Sequence, residues 1–324
     1  MYKKKLIFLL SLIAVLALLY AGSMISNSGF FSKRDSFAWM DSNAAERAGR
    51  IIISTSYDGF ELVKQNNVWF VLYNQDLLPA RQVRVQDFFT VLTTRSEWPV
   101  RSSNAYTHER FGLDDRASRI IVYAGGPALA AASLLDLLIG NNDFSSGDTY
   151  FRRFDQNEVH SGDSSINLYL SSVNSWFNLR LFPDGEINQI DVDSVQRLSV
   201  RTPYESQVFS RSGRGWIISG IDVETPSVNA IESYIRTILT TEGDGFIQPE
   251  FNQTITPDDF NHYSISMEFG NAAIVTIRLT EADETDRRFA RVSGSGSLYG
   301  DHIYSIPAWP ASRLFRDAES FESD

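Results

Sequence analysis

Four histidines, His108, His160, His262 and His302, and 40 Asp plus Glu are the side chains that could carry acid–base or metal chemistry. No cysteine is present, which removes disulfides, thiolate nucleophiles and thiolate metal sites. No histidine pair has the H-x-x-x-H or H-E-x-x-H spacing that sets two imidazoles on one helix face. His160 and His302 stand beside or near a serine each, Ser161 and Ser305. Two readings follow: paired histidines on the surface or in turns, or a symmetric polar site. Ser161-Gly162-Asp163-Ser164-Ser165 lacks a G-x-S-x-G elbow. It reads as a turn whose Asp163, Ser164 or Ser165 caps the next helix.

The carboxylate pairs are Asp114-Asp115, Asp191 with Asp193, and Asp258-Asp259. A glycosidase needs two carboxyls about 5–10 Å apart across a cleft, which spacing in sequence does not select. Asp191-Val192-Asp193 lacks the rest of a calcium loop. Thr256-Pro257-Asp258-Asp259 has Pro and acids where a helical turn leaves N–H groups bare. Gly294 to Gly300 has the wrong spacing for a phosphate loop and reads as a hairpin loop. Asn252-Gln253-Thr254 matches the glycosylation sequon, which carries no weight if the source is bacterial. We therefore assign no catalytic, cofactor-binding or metal-ligating residue and expect no cofactor.

Among the 29 basic residues, Lys3, Lys4 and Lys5 precede an apolar run. The rest of the chain then sets 40 acids against 26 bases, a balance that repels nucleic acid. The run Leu6 to Ala21 is broken by Ser11 and Tyr20. A signal peptide needs an apolar stretch of about 7–15 residues, a spanning helix about 17–25. Ala21-Gly22-Ser23 would serve as a cleavage site, but apolar character resumes at Met24 and Ile25, and Tyr20 suits an interface. The reading favoured is an uncleaved anchor. Lysines resist translocation, so the N-terminus stays inside a bacterial cytoplasmic membrane, crossed in a single pass, and the main domain is extracytoplasmic.

Beyond a Ser-, Asn- and Asp-rich stretch the pattern turns to short strands. Arg50 to Ser54, Phe60 to Val63 and Val68 to Leu72 read as a meander with a turn at Gln65-Asn66-Asn67. Val85 to Arg95 and Ile166 to Leu181 have helical spacing. Similar elements return in order: Ser194 to Val200, Gln207 to Ser210, Gly215 to Ile218 and a helix at Val228 to Thr240. Trp69 and Trp216 fall on matching strands and are expected as core anchors, while Trp98, Trp176 and Trp309 sit in less regular segments. The expected class is α+β: an N-terminal transmembrane helix followed by two tandem β-rich α+β repeats. The boundaries are a cytoplasmic tip at 1–5, an anchor at 6–22, a tether at 23–48, and repeats at 49–190 and 191–320.

Phe111-Gly112-Leu113-Asp114-Asp115, then Leu138-Ile139-Gly140-Asn141, then Tyr150-Phe151-Arg152-Arg153 resemble the bacterial family known as domain of unknown function 4340. In that family a Gly-Leu-Asp element precedes a strand, and a Leu-Ile-Gly element precedes an aromatic-Arg strand. The resemblance covers most of residues 48 to 320, although the second half lacks a clear copy of either element. It implies an accessory envelope protein, because such proteins are typically encoded beside gliding-motility-type ABC transporter components. It implies no catalytic residue. The expected function is thus a non-enzymatic extracytoplasmic accessory protein. Its partners are the lipid bilayer and an ABC-type transporter or other envelope complex, with no nucleic acid. The alternatives are a cell-wall-directed hydrolase and a carbohydrate- or peptide-binding periplasmic protein.

Overall fold

A computed structural model describes residues 36–125, 133–182, 191–223, 225–247, 255–294 and 302–322. In chain order its first elements are β1 (Ser36–Phe37), α1 (Ser42–Arg47), β2 (Ala48–Ser54), β3 (Gly59–Gln65), β4 (Val68–Tyr73), β5 (Asp76–Pro79) and α2 (Gln82–Thr93). Then come β6 (Ser96–Glu97), β7 (Val100–Ser102), β8 (Ser118–Ala124), β9 (Ser133–Asn142), β10 (Thr149–Arg153) and β11 (Val159–Gly162). The later elements are β12 (Val195–Arg201), β13 (Ser206–Ser212), β14 (Gly215–Ser219), α3 (Val228–Leu239), β15 (Gly245–Ile247), β16 (Tyr263–Phe269), β17 (Ile274–Leu279), β18 (Arg288–Gly294), β19 (Ile303–Ile306) and α4 (Ala308–Ser312). The chain divides into two compact units. Unit 1 takes the described residues up to Gly59 together with Phe88–Ser171; unit 2 takes Phe60–Asp87 and those from Ser172 onward.

The α+β expectation is corrected, because the described residues are mostly antiparallel β-sheet. The longest helices among them, α2 and α3, have 12 residues each. No described helix is long and apolar enough to cross a membrane, and the expected anchor at 6–22 lies outside the described residues. The expected tether at 23–48 is also corrected at its far end. Trp39 and Met40 are buried, and Asp41 caps α1 by accepting from Ala44 N at 2.8 Å.

In unit 1 the strands run in the order β2-β8-β9-β10-β11-β7. The reason is visible in the sequence. Alternate apolar residues point to one face of a strand, and register brings them together. Ile53 lies opposite Ile120, which lies opposite Leu137; Ile51 lies opposite Val122, which lies opposite Leu135. All six are buried. In unit 2 the order β12-β16-β17-β18-β19-β15 repeats that arrangement. Val200, Ile265, Ile277 and Val292 form one buried row across four of these strands. Helix α3 supplies Ile231, Tyr234, Ile235 and Ile238, spaced as one helical face, to the same core. Each such side chain contributes about 1.5–3 kcal/mol of burial energy.

The meander β3-β4-β5 belongs to unit 2 apart from Gly59, and its turns use the left-handed backbone. Asn66 and Asn67 sit at φ 49° and 66° between β3 and β4, the primed geometry that matches strand twist. Gln82, the first residue of α2, acts as a substitute peptide group. Its Oε1 accepts from Trp69 N at 3.0 Å, and its Nε2 donates to Trp69 O at 2.9 Å and Ala80 O at 2.7 Å.

The helix expected at Ile166 to Leu181 is corrected. Two 3₁₀ turns, Ser164–Tyr169 and Val173–Trp176, replace it. Asp163 accepts from Ser165 N and Ser172 from Asn174 N. Side chains of this kind offer the backbone partners that a continuous helix would have to supply itself.

Candidate functional site

Two hairpin turns share one build. The turn joining β2 to β3 reads Thr55-Ser56-Tyr57-Asp58, and the turn joining β12 to β13 reads Thr202-Pro203-Tyr204-Glu205. In the first, Thr55 N donates to Asp58 O at 2.7 Å; in the second, Thr202 N donates to Glu205 O at 2.9 Å. Each threonine Oγ1 also accepts from the tyrosine N (3.3 Å in both) and from the acid's N (3.1 Å in both). A hydroxyl that ties up its own turn fixes the apex without burying it. The result is a tyrosine held in water: Tyr57 is 98% and Tyr204 94% exposed. The Thr-x-Tyr-acid pattern stands at matching hairpins and was open to sequence reading, which passed over it because loop aromatics carry no period.

Beside each turn lies a pocket containing an arginine stacked on a ring. In unit 1 the pocket holds about 560 Å³ and is lined by Ser54, Thr55, Arg119, Arg152 and Phe154 among others. Arg119 lies 4.0 Å above the Phe154 ring. It clamps Asp136 side-on, Nε to Oδ1 at 2.8 Å and Nη2 to Oδ2 at 2.6 Å. That bidentate bond raises the guanidinium's pKa above its usual value. Arg152 is lowered by burial, and its Nη1 donates to Phe154 O at 3.0 Å and Gln156 O at 2.9 Å. In unit 2 the pocket holds about 250 Å³ and includes Tyr204 itself. Arg288 lies 4.2 Å over Tyr263 and 5.3 Å from Phe315. Its Nη1 donates to Thr280 O at 2.6 Å.

The family-like motifs of unit 1 are a packing knot rather than a chemical site. Gly112 takes a left-handed φ of 68°, and an added Cβ would come within 2.5 Å of the Asn141 amide. Gly140 has no room either: its Cβ would stand 2.1 Å from Phe111 O. Leu113, Leu138 and Val159 close a small core over this crossing, flanked by Phe111 and Tyr150. Asp114 pairs with Arg116 at 2.6 Å, and hydrogen bonds from Arg116 hold its carboxyl below the usual range. In unit 2 the turn before β16 is built differently. Thr256 N and Oγ1 both donate to Asp259 Oδ2, at 2.6 and 2.9 Å, and Pro257 opens the helical turn that the sequence suggested.

The remaining candidates scatter. His160 is buried in an aromatic cluster of unit 1, 5.2 Å from the Phe37 ring and 5.6 Å from that of Trp39, and its Nδ1 donates to Trp98 O at 3.0 Å. This corrects the surface or turn reading for His160. His302 lies edge-on to Phe246 in unit 2, and the residue matching His160 across the final strand pair is the buried Tyr304. His108 Nε2 donates to Asn157 O at 3.0 Å, and His262 is exposed. Ser161 Oγ accepts from Arg101 Nε at 2.7 Å, and Ser305 Oγ accepts from Arg287. A guanidinium cannot take a proton, so neither contact activates a hydroxyl. Asp191 accepts from Asp193 N and Ser194 N, and Asp258 sits near Asn261 in its own turn. Among the described residues no three His, Asp or Glu side chains gather so as to hold a metal ion. The sequon at 252–254 and residues 295–300 of the glycine-rich stretch lie outside the described residues.

Trp69 and Trp216 are buried as core anchors, with Lys64 and Arg211 across the strand over their rings at 5.9 and 4.8 Å. Trp98 and Trp176 are buried too, whereas Trp309 is 69% exposed beneath Arg313. A family model described as "Domain of unknown function (DUF4340)" matches residues 69–263, more than half of the chain. No curated protein and no solved structure matches.

Proposed function

We propose, from the premise that this chain belongs to the family described as domain of unknown function 4340, that it works by binding a protein partner rather than by making or breaking bonds. The observation that carries the reading is the pair of Thr-x-Tyr-acid turns. Each places a tyrosine in solvent at an apex its own hydrogen bonds hold fixed. Tyrosine contributes large contact area at small cost in side-chain entropy, and it is enriched where partners meet. Asp163, Asp191 and Asp259 are engaged in turns and caps and His160 in an aromatic cluster, which supports the same reading.

The partner we propose is a component of an ABC-type transporter or another envelope complex at a bacterial cytoplasmic membrane. The apolar segment at 6–22, preceded by Lys3, Lys4 and Lys5, would hold the protein there. Confinement to a thin layer raises its effective concentration near membrane partners. The test is a photo-reactive residue placed at Tyr57 or Tyr204 in cells. Cross-links from either apex to a transporter subunit are expected. Repeated absence of any protein adduct from both apices would overturn the reading.

A further inference from the structure

Arg119 and Arg288 are both stacked on rings beside a tyrosine-bearing turn, but they are satisfied differently. The Nε–Nη2 edge of Arg119 is filled by a carboxylate of its own unit, Asp136. Arg288 spends Nη1 on a carbonyl, Thr280 O, and among the described residues forms no ion pair with a carboxylate. Among the described residues no hydrogen bond engages its Nε or Nη2, and the side chain lines the pocket. The rings of Tyr263 and Phe315 hold the guanidinium in place. A planar fork fixed in this way is shaped for one bidentate carboxylate. We infer that the unit 2 pocket binds a carboxylate group of a peptide partner through the Nε–Nη2 edge of Arg288, under Tyr204.

Local charge is consistent with a directed bond rather than a general attraction for anions. Arg316 lines the same pocket, its guanidinium 5.2 Å over the Tyr234 ring. Glu205 and Asp317 line it as well, so the four charges cancel. Glu205 is held away by Gln207, whose Nε2 donates to Glu205 Oε1 at 3.0 Å and to Arg316 O at 2.9 Å. Both of those atoms are acceptors, which fixes the amide's orientation and with it the acid's position. With no net field, affinity comes from geometry. The dissociation constant should be on the order of 1 mM for a minimal ligand, with weak salt dependence. A pocket of about 250 Å³ has room for a carboxylate together with the residue that bears it.

This inference names the chemistry of the partner proposed above, and it is testable without that partner. Purified full chain in detergent is titrated by calorimetry with N-acetylglycine, N-acetylglycine amide and inorganic phosphate. The free carboxylate is expected to bind saturably at one site, at least tenfold more tightly than the amide or phosphate. Arg288→Lys keeps the charge and removes the fork, so it should weaken N-acetylglycine at least tenfold. N-acetyl-aspartate amide tests the side-chain source: binding equal to N-acetylglycine assigns any carboxylate, and weaker binding assigns a chain terminus. Absent binding, equal binding of the amide or phosphate, or unchanged affinity in a folded Arg288→Lys protein would each overturn the inference. If that variant fails to fold, the carboxylate–amide contrast in the unaltered chain decides. Failure of the cross-linking experiment leaves this result standing, and the reverse also holds.

Discussion

The turn-bearing ends of the two units are made of similar parts and finished differently. In unit 1 the stacked Arg119 holds Asp136, and the neighbouring glycine knot packs backbone against backbone. In unit 2 the stacked Arg288 pairs with no carboxylate among the described residues, and the turn before β16 is closed by bonds from Thr256 to Asp259. The difference teaches that a family-like motif and a binding site need not coincide. The glycine-containing elements of unit 1 serve packing, and the open guanidinium edge lies in the unit that lacks them.

The hardest way to break the comparison is to fill the knot. Gly140→Ala forces a Cβ onto Phe111 O, a backbone atom that cannot swing aside. A loss of about 3 kcal/mol in urea unfolding is expected. Gly245→Ala in unit 2 meets nothing within 4 Å and should stay within about 0.5 kcal/mol of the parent. Equal losses at the two sites would remove the distinction.

Next in size is Asp136→Ala. It strands the Arg119 guanidinium, whose side chain is 31% exposed, and should cost about 2 kcal/mol by thermal or urea melting. It should also give unit 1 the saturable response to N-acetylglycine that unit 2 already has, seen as a second site by calorimetry. Stability loss without a second site would mean that a stacked guanidinium alone does not make a carboxylate receptor.

Smaller effects test the turns. Thr55→Val and Thr202→Val each remove the hydroxyl that ties Tyr57 or Tyr204 in place, and each should cost about 1 kcal/mol or less. The two costs should agree, because the bonds agree. Smallest is the acid limb. Hydrogen bonds from Ser145 and Tyr150 push the Asp143 carboxyl well below the usual range. A carboxyl depressed in the folded state stabilises above its unfolded pKa of about 3.9, and that contribution is lost as pH falls through the folded value. Asp143→Asn should therefore flatten the decline of the urea midpoint between pH 4 and pH 2.

Much of the sheet was legible because alternation is a local signal. Ile51 and Ile53 announce their face without help, and Trp69 and Trp216 mark matching strands. The segment after Ile166 misled, because Ile166, Tyr169, Val173 and Trp176 are spaced like a helix face while Ser172 and its neighbours cap the backbone turn by turn. His160 was unreadable for another reason. Its burial comes from Phe37, Trp39 and Trp98, which stand more than 60 positions away in sequence and meet it only through strand pairing. Arg288 was hidden likewise, since nothing local says that Tyr263 and Phe315 will flank it or that no acid among the described residues will pair with it.

If unit 2 captures a carboxylate of a protein partner beneath Tyr204, a free carboxylate must compete with that partner. With a photo-reactive residue at position 57 or 204 in membranes that contain the partner, N-acetylglycine is added before illumination. Adducts from position 204 should fall in proportion to N-acetylglycine while those from position 57 persist. Undiminished adducts at 204, or an equal fall at both positions, would contradict it.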